Sequence, residues 1–175
     1  MLSLQLGYAQ EETLYFADTL KEVRIRAPWK NDTERYNYNQ MKHYVTIVLP
    51  YVNACTQLFK EVQAKENNPS VSRREYKNFV SAKEDEMRNK FEDKIKNLNV
   101  TQGVLLVKLL ARQTNLNLYH MITEVKNPIA AFKWQTWARL HGMNLDKNYN
   151  PDDEPMLENI MSDLGYPLPA SYATR

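Results

Sequence analysis

Thr101-Gln-Gly-Val-Leu-Leu-Val-Lys-Leu-Leu-Ala-Arg-Gln-Thr114 is the stretch on which the fold turns. Wound as a helix, it is apolar in nearly every direction, and its only charges, Lys108 and Arg112, stand four residues apart on one narrow stripe. A helix apolar nearly all round belongs in the interior, covered on every side by neighbours. The flanking chain must therefore supply amphipathic partners.

Upstream it supplies two. Asn31-Asp-Thr-Glu34 is a capping-box-like start, followed by Met41, Tyr44, Val45, Val48, Val52, Cys55, Phe59 and Val62 at spacings of three and four. Pro50 lies inside that pattern and is expected to kink the helix or divide it. After the break at Asn67-Asn-Pro-Ser70, Ser72-Arg-Arg-Glu75 is a second capping box, and Tyr76, Phe79, Val80, Met87, Phe91 and Ile95 carry a second amphipathic helix to about Asn97. The run Lys83-Glu-Asp-Glu86, with Arg88 and Lys90, reads as its solvated face, laced by pairs three and four apart.

Downstream, a short helix is expected from Asn117 to about Lys126. Asn127-Pro128 then supplies a cap and an N1 proline for a helix to Leu140, with Gly142 as its stop. Trp134 and Trp137 fall on one side of it, Ile129, Phe132 and Leu140 on another, so this helix too should be largely enclosed, with Gln135 and Arg139 as its polar stripe. Asp152-Asp-Glu154 favours a last helix start, and Met156, Leu157, Ile160, Met161 and Leu164 complete that helix before Gly165. The tail from Tyr166, with Pro167 and Pro169, is expected to be loose. The fold class is thus all-α, a compact array of five to six helices with a short extended amino-terminal arm. Residues 1–9 read as the remnant of a signal peptide, 10–30 as the arm, 31–165 as a single helical domain and 166–175 as the tail.

The arm is the part that does not fit a helix. Between Asp18 and Pro28, apolar Val23 and Ile25 alternate with Lys21, Glu22, Arg24 and Arg26, a period of two that suits an extended segment. No second convincing strand occurs in the chain to pair with it. Before it, Leu2-Ser-Leu-Gln-Leu6 and the small residues Gly7 and Ala9 resemble the end of a secretory leader whose basic start and fuller apolar run of about 7 to 15 residues would lie upstream. Cleavage after Ala9 would leave Gln10 first, and the mature chain is expected to be periplasmic or otherwise exported, with a cytoplasmic location as the fallback.

The 175 residues are 43% apolar and 25% charged, with 23 basic against 21 acidic side chains. That is enough chain for one packed core without disulfide or metal support, and Cys55, the single cysteine, makes an intramolecular disulfide impossible. A net charge of +2 without a basic patch argues against a phosphate-gripping nucleic-acid binder. No stretch approaches the roughly 18 apolar residues of a membrane span.

Catalytic signatures are absent: there is no Walker loop, no Gly-x-Gly-x-x-Gly, no Gly-x-Ser-x-Gly and no His-Glu-x-x-His, and only 4 glycines. No catalytic residue, cofactor or metal is assigned. Asp146-x-Asn148-x-Asn150-x-Asp152 has the alternating oxygens of a calcium loop, yet Pro151 stands where the loop needs glycine and Leu157 where it needs the bidentate glutamate. The spacing reads better as a turn plus helix cap. One constellation could bind a ligand: Arg112, Glu124, Gln135 and Arg139, with Lys108 and Lys126 nearby and His120 one helical turn before Glu124. Two accounts compete. Either the arginines pair with Glu124 and loop carbonyls to hold helices in register, or the group forms a cationic cleft whose guanidinium forks grip a carboxylate, phosphate or glycan acid.

Several stretches together resemble a known family. They are Leu98 to Arg112 with its Gln-Gly-x-Leu-Leu-x-Lys-Leu, Tyr119 to Lys126, Ala130 to Gly142 with its Trp-Gln-x-x-Ala-Arg-x-x-Gly-x-Asn-Leu continuation, Asn144 to Pro151, and the leading Leu20-Lys-Glu-Val-Arg-Ile-Arg-Ala27. The combination is similar to an uncharacterised family, a domain of unknown function, of exported helical proteins from Bacteroidota-type bacteria. The resemblance implies export and carries no catalytic residues. Gln113 and Asn115 depart from the acidic residue and glycine usual after the arginine, and Asn150 replaces a frequent aspartate, departures that weaken any proposal that an acidic cluster there is required. The function expected is a non-catalytic envelope module whose arm, through Leu20, Val23, Arg24, Ile25 and Arg26, adds as a strand to the sheet edge of an exported or outer-membrane protein. The alternative is an enzyme or small-ligand receptor using the cationic cleft.

Overall fold

In the computed structural model the first helix, α1, runs unbroken from Asp32 to Glu66, about 52 Å at 1.5 Å per residue. The structure describes residues 29–125, 135 and 144–172. The leader remnant, residues 10–28 of the arm, Lys126, Arg139 and all of the expected Pro128–Leu140 helix except Gln135 lie outside the described residues. α2 spans Arg73–Lys96, α3 Val100–Thr114, α4 Leu118–Val125 and α5 Pro155–Asp163. Short 3-10 turns occupy Pro151–Asp153 and Ala170–Tyr172. Among the described residues there is no strand, and the fold is the compact all-helical array the sequence implies.

The helix starts are set by side chains that satisfy otherwise orphaned backbone N–H groups. Asn31 Oδ1 accepts from the Glu34 amide at 2.8 Å, and Ser72 Oγ from the Glu75 amide at 3.2 Å. At α3 the box is reciprocal: the Gln102 amide donates to Asn99 Oδ1 (2.9 Å) while the Asn99 amide donates to Gln102 Oε1 (3.0 Å). α3 ends at Asn115, whose φ of 55° is left-handed, and the chain turns after α5 at Gly165, φ 83°. Asparagine tolerates that region and glycine enters it freely.

Pro50 does not divide α1. It lies on the exposed side while Val45, Val48, Leu49 and Val52 around it are buried. The lost backbone hydrogen bond therefore faces water, and core packing on the other side holds the axis together.

The core forms where the amino-terminal half of α1 meets α3 and α5. Val45, Val48 and Val52 of α1, Leu105, Leu106, Leu109 and Leu110 of α3, and Leu157, Ile160 and Met161 of α5 make one buried cluster. α3 is the enclosed pillar expected of it, with Leu109 fully buried and Leu110 nearly so. α2 folds back antiparallel on the second half of α1, where Lys83 meets Glu61 at 3.1 Å, Lys65 meets Glu75 at 2.6 Å and Tyr51 packs edge-on against Phe91. Its outer face carries charge pairs of the kind read from sequence, Arg88 with Glu84 and Asp85, and adds Lys96 with Glu92.

The segment after α5 is not loose over the part described. Tyr172 is buried, its hydroxyl donates to the Ala111 carbonyl at 3.3 Å, and its ring packs edge-on against Tyr149. The prolines suggested an extended tail, but the aromatic rings at 166 and 172 give it an anchor.

Candidate functional site

The charged stripe of α3 faces the start of α5. Lys108 and Arg112 lie four apart on α3, and Glu154 and Glu158 lie four apart at and just inside the beginning of α5. The Lys108 ammonium donates to the Glu154 carboxylate, and Arg112 makes a two-pronged contact with Glu158, Nε to Oε1 and Nη2 to Oε2, each at 2.8 Å. Numbering rises together along both helices, so α3 and α5 run parallel and the ion pairs form two rungs between them.

Arg112 has no solvent exposure. Its Nη2 also donates to the Tyr166 carbonyl at 3.1 Å, tying the chain beyond Gly165 to α3. Nη1 is buried and has no partner among the described residues. The Tyr149 hydroxyl donates to Glu158 Oε1 at 2.5 Å, completing a cluster in which one carboxylate serves both a guanidinium and a phenol. Burial alone would raise the Glu158 pKa, but the hydrogen bonds from Arg112 and Tyr149 and the guanidinium charge outweigh it, so the carboxyl stays below its ordinary range. Burial first, then the Glu158 carboxylate, pushes the Tyr149 phenol far up, and it remains a donor at any ordinary pH.

Chemically this is a clamp. Each cation holds a carboxylate of the same chain, and a two-pronged guanidinium–carboxylate contact fixes orientation as well as distance. Beside it, Val104, Val107, Lys108, Tyr149 and Glu154 contribute to a recess of about 210 Å3.

The remaining candidates lie apart from it. Glu124 is exposed and accepts from Gln63 Nε2 at 3.5 Å. The partner of Arg112 is therefore Glu158, with Tyr166 as the loop carbonyl the register-holding account anticipated. His120 is exposed, its ring edge-on to Tyr119. Gln135 is buried and pins a loop, its Nε2 donating to Asn144 Oδ1 (2.7 Å) while its Oε1 accepts from the Leu145 amide (2.9 Å).

That loop explains the calcium-like spacing. Asp146 O, Asp146 Oδ1 and Asn148 Oδ1 converge at 3.3, 3.3 and 3.0 Å on Asn117 Nδ2, and Asn117 Oδ1 accepts from the His120 amide at 2.8 Å. An amide nitrogen sits where a calcium loop would aim its oxygens, and the same side chain caps α4. Among the described residues no group of three or more His, Cys, Asp or Glu side chains could hold a metal, and no helix is long and apolar enough to cross a membrane.

Sequence reasoning missed Glu154, Glu158, Tyr149 and Asn117. A signal for two of them was present, because Lys108-x-x-x-Arg112 and Glu154-x-x-x-Glu158 share one spacing with opposite sign.

Fold and site together define an all-helical domain with a charged clamp built into its core. The chain belongs to the family described as Domain of unknown function (DUF4294), which matches residues 13–163 and so takes in most of the arm as well as the helices. No curated protein and no solved structure matches it.

Proposed function

We propose that this protein is a non-catalytic interaction module of the bacterial cell envelope, exported from the cytoplasm, which docks onto another exported or outer-membrane protein through Leu20, Val23, Arg24, Ile25 and Arg26. The observation that carries this reading is the clamp: Lys108 and Arg112, the described cations with the best claim to a cationic cleft, already hold Glu154 and Glu158. A site whose charges are mutually satisfied offers little to an external anion. The alternating segment adds support, since period two suits strand addition to an open sheet edge, where main-chain hydrogen bonds give affinity and alternate side chains give selectivity. That segment falls within the family match.

The test compares the full chain with one lacking residues 10–30 in quantitative pull-downs from envelope extract. The reading expects specific envelope proteins to disappear with the deletion and a peptide of residues 18–27 to compete for them. An unchanged set of captured proteins overturns it. Export is tested separately by the mass of the native amino terminus, with Gln10 expected first.

A further inference from the structure

The chain beyond α5 is held the way a receptor holds a short peptide. Tyr166, Pro169 and Tyr172 turn inward while Pro167, Leu168, Ala170 and Ser171 are exposed, a period of three shared by polyproline II and 3-10 backbone. Among the described residues no backbone–backbone hydrogen bond joins residues 167–172 to the rest of the chain. Side chains do the holding. Asn53 Nδ2 of α1 donates to the Tyr166 hydroxyl at 2.9 Å, and Arg112 Nη2 of α3 donates to the Tyr166 carbonyl at 3.1 Å. The Tyr172 hydroxyl donates to the Ala111 carbonyl at 3.3 Å, with its ring edge-on to Tyr149.

Anchoring side chains at fixed intervals, flanking prolines and a main-chain carbonyl taken by a side-chain donor are the means by which proline-containing segments are recognised. Pro167 and Pro169 also narrow the conformations of the released segment, so seating it costs less entropy. The tail does not saturate its seat. Arg112 Nη1, buried beside the Nη2 that holds Tyr166, has no acceptor among the described residues. Asn53, Ala111, Arg112 and Tyr149 lie inside the span matched by the family and the segment on them lies past its end, the arrangement of a domain with an appended ligand.

We propose that this seat is a docking site for an extended, proline-containing segment of a partner protein with tyrosines six residues apart, and that residues 166–172 are a tethered occupant which that segment displaces. Gly165 is the pivot, at φ 83° with no atom within 4 Å of where a Cβ would stand. A tether this short gives the tail an effective concentration on the order of 1 mM or more, so an external segment with a dissociation constant of about 100 µM is weakened roughly tenfold while the tail competes. The seat shares no residue with the arm, and deletion of residues 10–30 should leave peptide binding unchanged.

The experiment titrates a fluorescein-labelled peptide of residues 165–175 into the full chain and into full-length Tyr172→Ser, which loosens the tail and leaves the seat intact. Binding to Tyr172→Ser is expected to be at least about tenfold tighter than to the unaltered chain, with amide shifts near residues 53, 111 and 149. A peptide carrying Tyr166→Ser and Tyr172→Ser should lose binding, and exposed Asn53→Ala added to the Tyr172→Ser chain should weaken it several-fold. The unaltered chain gives a second readout that does not depend on the variant's folding. Chymotrypsin can cut after Tyr172 only when that ring leaves its seat, so loss of residues 173–175 under native conditions is expected with little dependence on urea, as for a local opening. Equal or absent peptide binding in the two chains, or cleavage after Tyr172 that tracks global unfolding, overturns the proposal.

Discussion

Arg112 and Glu158 meet through two parallel hydrogen bonds of 2.8 Å, with the guanidinium wholly out of water. Such a pair adds little net stability over an apolar substitute of similar volume, yet breaking it from one side strands a buried charge. Glu158→Ala is therefore expected to destabilise the protein by about 3–5 kcal/mol, read by urea unfolding. Replacing both residues, as in Arg112→Met with Glu158→Leu, should cost far less. A double variant as unstable as Glu158→Ala would contradict this account.

The same carboxylate sets a pH dependence. The folded-state pKa of Glu158 lies below its ordinary value, so its contribution is fully present above the unfolded-state pKa, about 4.3, and is lost as pH falls through the folded-state value. Stability followed by thermal melts should decline on acidification below about pH 4.5, and Glu158→Gln should flatten that decline. A variant with an unchanged acid limb would assign the loss to other carboxylates.

Tyr149→Phe removes the phenol's bond to Glu158 and keeps the ring against Tyr172. The expected loss is about 1.5–3 kcal/mol, the range for a hydrogen bond to a charged group, checked by chemical denaturation. No change would mean that water replaces the phenol without penalty.

Burial pushes the Cys55 thiol up to about 11. At pH 8 its thiolate fraction is then about a hundredfold below that of an unburied thiol, so a thiol reagent should label the folded chain far more slowly than the chain in urea. Rapid native labelling would show that the α1 face around Cys55 opens readily.

Much of the fold was legible because burial writes itself into periodicity. The near-continuous apolar run of α3 announced a pillar, and the caps at Asn31 and Ser72 set where helices begin. Pro50 does not divide α1, because a local rule about one lost hydrogen bond could not weigh the buried valines on the opposite side of the helix. The site was less legible. Arg112 stood out by sequence, but its partner lies 46 residues away, and only the matched spacing of Glu154 and Glu158 hints that Glu158 rather than Glu124 is the counterion. Asn117 was read only as a helix start, and its hold on the loop was hidden because its three oxygen partners lie near residue 147, beyond the reach of any short pattern.

The unbroken helix α1 has a mechanical consequence. Its first turns are seized by the far end of α5, where the Tyr38 hydroxyl donates to the Asp163 carboxylate and Lys42 stands 3.8 Å from it. Tension applied ahead of Lys30 would thus load the junction of the first and last described helices in shear rather than peel the chain from one end. A tethered molecule pulled from that side should yield at higher force than one pulled across the α1–α2 hairpin, where the linking contacts open one at a time.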